Sequence, residues 1–447
     1  MIRNRAFYKQ FFSMWGVLVL QNIVTLGVNL ADNIMLGAYS EISLSGVAAA
    51  NQVQFIYQQV LLAIGEGVVV LGTQYYGKNQ FKPIRTLSSI GMHAALMAAA
   101  LLFLLVSLFP QQILGLFLED PLIIEQGVEY VRIIRFTYLF FAITQFLLAV
   151  LRSIGVVHIA LGLSVCTLII NCGINYTLIY GHFGAPRMGV AGAAIGTLSA
   201  RIAELLILIF YLYAREKTLR LRLRDFLHTD PVLRRDYLRI TLPLLGVNGL
   251  WGLNSAVQNA ILGHMTDRAI AANSVASTLF LMVKSTGTGS ASAATFFVGR
   301  AIGDGNEQRL QPLARTLQVL FVGIGILSGA GLYFLRIPIL SFYKLEPETL
   351  EMANAFLLIL SVACVGMSYQ MPTNLGIIRG GGDTKYVMMM DWISVWGIVI
   401  PISFLMAFWL KASPVAVVCC LNADQIFKCI PAFLKCNFGH WAKKLTR

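Results

Sequence analysis

Charge is scarce in this sequence. Asp, Glu, Lys and Arg make up 12% of its 447 residues, about half the ~25% of an average soluble domain, while 57% are apolar. That imbalance excludes an ordinary soluble enzyme. Catalytic signatures are missing too: there is no HExxH, no GxSxG and no paired acidic metal motif, and the GGGD run ending at Asp383 reads as a turn, not a phosphate loop. Neither an enzyme nor a resident cofactor is expected. The seven cysteines (Cys166, Cys172, Cys364, Cys419, Cys420, Cys429 and Cys436) form no CxxC pair and no zinc spacing. All lie in or beside apolar runs, where small thiols fill core space. The alternating ten-residue segments of a membrane β-barrel are absent as well.

Long apolar runs are what the chain has instead. A spanning helix takes about 20 apolar residues, and runs set off by polar punctuation fall near 11–37, 44–72, 87–110, 128–151, 158–181, 189–213, 240–264, 270–298, 314–335, 353–378, 386–410 and 414–435. They predict an all-α polytopic membrane protein with twelve transmembrane helices. The first run follows Arg3, Arg5 and Lys9, but it is too long for a signal peptide and lacks a small-residue cleavage site. It reads as an uncleaved span. The net charge of +13 would suggest nucleic acid in a soluble protein. Here alternate connections, from the N-terminus to the tail, hold 24 of the 34 basic residues, counting Lys435 at the edge of the last run. The opposite connections carry acidic or mixed segments such as FLEDPLIIEQ and KLEPETLE. The positive-inside rule then puts both termini in the cytoplasm of a cell (inner) membrane protein, with its basic face on anionic lipid and no nucleic acid partner.

The longest hydrophilic stretch, AREKTLRLRLRDFLHTDPVLRRDYLR, lies mid-chain. It reads as a linker between an N-lobe (residues 1–225) and a C-lobe (residues 226–447). An internal repeat supports the division: Gly37 and Gly263, Gly77 and Gly303, and Asn22 and Asn248 are each displaced by 226 residues, and Arg152 and Gly155 match Arg379 and Gly382 at 227. Each half holds six spans, an even number, so two pseudo-symmetric six-helix lobes run parallel about an axis along the membrane normal. Alternating-access transporters are commonly built this way.

Several segments resemble one family: ADNIMLG in span 1, GTQYYGKNQ at the exit of span 2, LRSIG, the run NCGINYTLIYG followed by GVAGAAIGT, and IIRGGGDT. In order and spacing, over nearly the whole chain, they look like the multidrug and toxic compound extrusion (MATE) transporters. The resemblance implies a twelve-helix secondary antiporter that expels amphiphilic, often cationic drugs or metabolites in exchange for inward sodium ions or protons. A monomer in the lipid bilayer is expected. The alternative is a flippase for a lipid-linked saccharide or related amphiphile, since such proteins resemble MATE transporters in fold, though they commonly have more spans or a strongly basic cavity.

Ionisable side chains at bilayer depth cost several kcal/mol and each needs a reason. Arg201 with Glu204 and Asp424 with Lys428 stand three and four residues apart, so each pair can neutralise itself along one helix face. Asp32 has no positive charge at that spacing. It sits about 9 Å below the outer surface at 1.5 Å per residue, and Asn175, Asn171 one turn below it, and Thr197 fall at a comparable level. One carboxylate with amide and hydroxyl oxygens suits a hard cation, and a buried carboxyl can equally carry a proton. These four residues are the candidate ion-coupling site, and Asp32, Asn171 and Asn175 are the metal ligands if sodium is the ion. The resemblance agrees: Asp32 matches the N-lobe acid of MATE proteins and Asn171 the asparagine beside it. At Asn175 the relatives with the best-defined N-lobe ion site have a second aspartate.

In the C-lobe some members carry acids on helices 7 and 10. The corresponding stretches here, PLLGVNGLWGLN and GMSYQMPTN, contain none, and the repeat partner of Asp32 is Gln258. Ion coupling is therefore expected in the N-lobe alone. Asn22, Gln58, Asn248, Asn254 and Gln258 are substrate-cavity candidates by helix position. Lys284 and Asp391 both fall in the inner half without intrahelical partners, so they either pair with each other or meet substrate. Glu66 is expected at the cytoplasmic interface. Pro243 is expected to open span 7 while Pro372 and Pro401 interrupt spans 10 and 11, and Val17 stands where the repeat places Pro243.

Overall fold

A computed structural model describes the chain except Met1, Arg3, Asn306, residues 342–345 and Arg447. The expectations placed on Arg3 and on Lys344 of KLEPETLE lie outside the described residues. Among those described, the chain is helical throughout, with a single isolated β-bridge between Gly382 and Ala442. Twelve helical spans follow the apolar runs. They are α1 (Arg5–Tyr39), α2 (Glu41–Gly77), α3 (Phe81–Leu108), α4 (Pro121–Ile134 and Thr137–Ser153, bent by 57° at their join), α5 (His158–Tyr180) and α6 (Val190–Ala214). The second half supplies α7 (Pro231–Gly263), α8 (Asp267–Gly303), α9 (Glu307–Leu340), α10 (Pro347–Ile378), α11 (Thr384–Trp409) and α12 (Pro414–Phe438).

Nine of these are long and apolar enough to cross a membrane, and the bent α4 makes a tenth. The remaining two, α7 and α8, have 33 and 37 residues, ample for a ~30 Å hydrocarbon layer at 1.5 Å per residue. Their hydropathy is diluted by Asn248, Asn254, Gln258, Lys284 and a series of Ser and Thr. Helix starts obey local chemistry. Asp120 accepts from the Leu122 N–H (2.9 Å) ahead of Pro121, so α4 begins inside FLEDPLIIEQ, earlier than the apolar run. Thr266 caps α8 by accepting from the Ala269 N–H at 3.1 Å.

The chain divides into two compact units. One comprises Leu20–Gly72 and Gln80–Thr241; the other comprises Met1–Val19, Thr73–Asn79 and Leu242–Arg447. In the first unit glycines let helices close up. Gly91 leaves room for the Phe146 ring, and Gly192 lies against the Leu178 backbone. The Tyr237 hydroxyl donates to the Ile64 carbonyl at 2.7 Å, tying the start of α7 to α2. The expected linker is held down rather than loose. Arg85 donates to the Leu219 carbonyl (2.6 Å), Ser89 to the Phe226 carbonyl (2.9 Å), and the Glu216 carboxylate accepts from the N–H groups of Thr218, Leu219 and Arg220. One expectation changes here. Span 7 starts at Pro231, so Pro243 lies inside α7 and does not open it. Glu66 is buried against its neighbours and takes Arg152 at 2.6 Å, because an acid on the packed face of α2 needs a cation within reach.

In the second unit three stretches are wound more widely, with i→i+5 hydrogen bonding: Thr373–Ile378, Trp392–Val399 and Leu405–Trp409. The Arg379 N–H reaches the Asn374 carbonyl (2.9 Å) and the Leu410 N–H the Leu405 carbonyl (3.0 Å). Pro372 immediately precedes the first and Pro401 lies between the other two. A proline removes one ladder donor, and a wide turn is one way for the helix to continue past the gap.

The C-terminal residues bind this unit as a strap. The Lys443 N–H donates to the Gly381 carbonyl (2.7 Å), and the Gln74 carboxamide donates to the Lys443 carbonyl (3.1 Å) while accepting from the Leu445 N–H (2.9 Å). Trp441 is buried against Gly381, and Leu445 fills the space beside Gly382, whose φ of +96° suits glycine. Asp383 receives Lys443 at 2.8 Å and Lys435 at 3.0 Å. Burial opposes its ionisation, but the two ammonium groups outweigh burial and hold its carboxyl below the ordinary carboxylate range. A depressed folded value means that this contribution is whole above the unfolded carboxyl value of about 3.9 and is lost as pH falls through the folded one. Asp383→Asn is therefore expected to lower the thermal midpoint in detergent at pH 7. The gap to wild type should stay constant down to about pH 5 and close only in more acid buffer; equal midpoints at pH 7 would remove the strap's ionic anchor.

Candidate functional site

Asp32 lies late in α1, and three contacts set its level. The Tyr180 hydroxyl donates to the Met35 carbonyl at 2.8 Å, Arg187 lies over the Tyr39 ring at 5.0 Å, and Gly189 lets that ring approach the start of α6. With α1 fixed against α5 and the turn after it, the carboxylate meets the packed face of α5. Asn175 donates to Asp32 Oδ1 at 2.6 Å and to Asn171 Oδ1 at 3.3 Å, and Asn171 donates to the Thr197 hydroxyl at 3.2 Å. The four residues expected to share a depth form one hydrogen-bonded chain across α1, α5 and α6. Asn171 and Asn175 are buried and Asp32 is half-buried.

One acceptor is left over: Asn175 Oδ1 is buried with no donor. A primary amide can turn either end toward a neighbour, offering N–H to a carboxylate or its oxygen to a proton or cation. Among the described residues no three His, Cys, Asp or Glu side chains gather as a metal centre, so a cation here would rest on one carboxylate with amide and hydroxyl oxygens.

Three neighbours were not legible as site residues. Tyr130 on α4 is buried with its hydroxyl toward Thr197; in sequence it is one aromatic among many on an amphipathic helix. Gly196 faces Asn175 so closely that a β-carbon there would strike the Asn175 carboxamide. Its signal was present in the Gly192/Gly196 spacing, which marks close helix packing. Arg201 is the positive charge whose field reaches Asp32, but Glu204 holds it at 2.7 Å and it stacks over Phe141 at 4.6 Å.

The second-half candidates do not converge in one network. Gln258 donates to Asn254 at 3.2 Å, whereas Asn248 Nδ2 is buried and unbonded. In the first half Asn22 is half-buried on α1 and Gln58 is exposed on α2. Lys284 and Asp391 do not pair with each other. Lys428 takes Asp391 at 2.8 Å as well as Asp424 at 3.1 Å, and Lys284 lies over the Trp251 ring at 4.2 Å. The expected pairing fails because the Asp424–Lys428 pair, which looked self-sufficient, has an ammonium with donors to spare. Gln425 donates to Asp424, Gln370 to Gln425 and Asn374 to Gln370, so the charge cluster continues as a polar chain from α12 into α10.

Comparison with known proteins matches this architecture. The MatE family model matches residues 18–177 and again residues 243–405, one copy in each half of the repeat. A protein named probable multidrug resistance protein NorM from Thermotoga maritima is 25% identical over 436 residues, covering 96% of this chain and 92% of that protein. Among solved structures, a mutant of the Vibrio cholerae MATE transporter VcmN superposes with a TM-score of 0.88 at 16% identity, covering 98% of both chains. A eukaryotic MATE transporter does so at 0.85 and 17% identity, covering 98% of this chain and 97% of that one. Twelve helical spans in two repeated halves, with the family pattern matched in both, place the chain in the MATE family of transporters.

Proposed function

We propose that the protein is a secondary active antiporter of the cell (inner) membrane, with both termini cytoplasmic, that works as a monomer. It exports amphiphilic, cationic drugs or metabolites in exchange for inward protons or sodium ions, and the exchange is coupled at Asp32. The observation that carries this reading is the Asp32–Asn175 contact with the unfilled Asn175 oxygen beside it. An incoming proton or cation neutralises the one carboxylate of this network and turns the carboxamide; when it leaves, the N–H contact returns. Two protein arrangements that differ at this contact bind the ion with different affinity, and only such a difference shifts an equilibrium between inward- and outward-open states. The basic connections and the names of the multidrug relatives support the membrane orientation and the substrate class.

Reconstituted protein loaded with ethidium tests the coupling, with a pH gradient and a sodium gradient imposed separately. Wild type is expected to accelerate efflux under at least one of them. Asp32→Asn should cut the gradient-driven rate about tenfold or more, within the range of a typical coupling free energy, while ethidium still binds at equilibrium. Gradient-driven efflux at the wild-type rate in Asp32→Asn overturns the coupling role.

Gly196→Ala addresses the same contact without touching the acid. Its β-carbon pushes the Asn175 carboxamide off Asp32, so Gly196→Ala and Asn175→Leu are both expected to lose part of the coupling in proteins that elute as wild type. If Asn175→Leu is impaired and Gly196→Ala couples normally, the carboxamide position does not matter as described.

A further inference from the structure

Lys284 lies about midway along α8. Its ammonium has no carboxylate, carbonyl or hydroxyl acceptor among the described residues, where it lies over the face of Trp251. Both acids able to serve it, Asp391 and Asp424, are held by Lys428; their field reaches Lys284 but neither touches it. An unpaired ammonium at that depth is costly unless it faces water or a ligand. The helix faces around it answer which. Trp251, Asn254 and Gln258 recur on one side of α7, and Ser274, Thr278, Leu281 and Lys284 on one side of α8, all exposed or half-buried. Polar side chains in such stripes are disfavoured against lipid and favoured against a wetted cavity.

We propose that Lys284 and Trp251, flanked by Asn254 and Gln258, form a subsite for the acidic group of an aromatic amphiphile. The Trp251 indole stacks on the flat body of the ligand, and the Lys284 ammonium leaves the ring to donate to the carboxylate. The subsite rests on the transport reading above but not on how transport is coupled.

Rhodamine 110 and rhodamine 123 test it, since they differ only in that a free carboxylate in the first is a methyl ester in the second. Equilibrium binding is followed by fluorescence polarisation in phosphatidylcholine nanodiscs, which needs no ion gradient, so failure of the Asp32 coupling leaves this measurement intact. Wild type is expected to bind rhodamine 110 more tightly. Lys284→Gln should weaken rhodamine 110 about tenfold and leave rhodamine 123 within twofold, and Lys284→Arg should restore the preference. Equal weakening of both dyes makes Lys284 a packing residue, and no change in either removes the subsite. Loss of the rhodamine 110 preference when phosphatidylglycerol is added assigns the ammonium to a lipid headgroup, and that too overturns the proposal.

Discussion

Inside a bilayer a polar group has no water to fall back on, so it must find a partner in the protein or face a wetted cavity. The arrangement of this molecule follows from that constraint. Asp32 takes Asn175, Asn175 takes Asn171, and Asn171 takes Thr197. Glu66 takes Arg152, Glu204 takes Arg201, and two aspartates share Lys428. Helix packing serves these contacts: Gly196 is small because Asn175 needs the space, and α1 is pinned by Tyr180 at the level where its acid meets α5. Partnering stops short at several buried atoms, Asn175 Oδ1 and Asn248 Nδ2 among them, and under the proposed exchange Asn175 Oδ1 is the one that answers the ion.

The two halves keep one framework and divide its chemistry. Glycines at matching positions and a family pattern matched twice record the common framework. At the position of Asp32 the second half has Gln258, bonded to Asn254 on its own helix. Of the charges expected at bilayer depth in this half, Asp391, Asp424 and Lys428 lie on α11 and α12 and Lys284 on α8. Wide turns next to Pro372 and around Pro401 interrupt α10 and α11, whereas α1, with Val17 in place of a proline, is helical from end to end. A hinge is therefore easier to place in the second half than in α1.

Fold class and span number were legible because hydrophobic run length is a one-dimensional signal. Asp32 was legible for a similar reason: nothing three or four residues away could neutralise it. Asn175 and Thr197 followed from depth alone, since rise per residue is fixed. What sequence did not reveal were contacts between helices whose rotation it does not specify. Lys428 had an intrahelical acid and seemed complete, yet its spare donors took Asp391 and left Lys284 without an acid. Glu66 and Arg152 are distant in sequence and meet only because α2 and α4 pack. Tyr130 carried no mark distinguishing it from any other tyrosine on an apolar face.

The presence of one carboxylate in the first-half network, where a pair of acids would have been the alternative, has an electrical consequence. Under the proposed exchange it admits one positive charge per turnover. Export of a monocation then moves no net charge, and the membrane potential contributes nothing; the driving force is the concentration gradient of the ion alone. Export of a zwitterion carries one net charge inward and gains about 2.3 kcal/mol per 100 mV of negative-inside potential. The charge of the cargo, not the transporter, would decide whether the cycle is electrogenic.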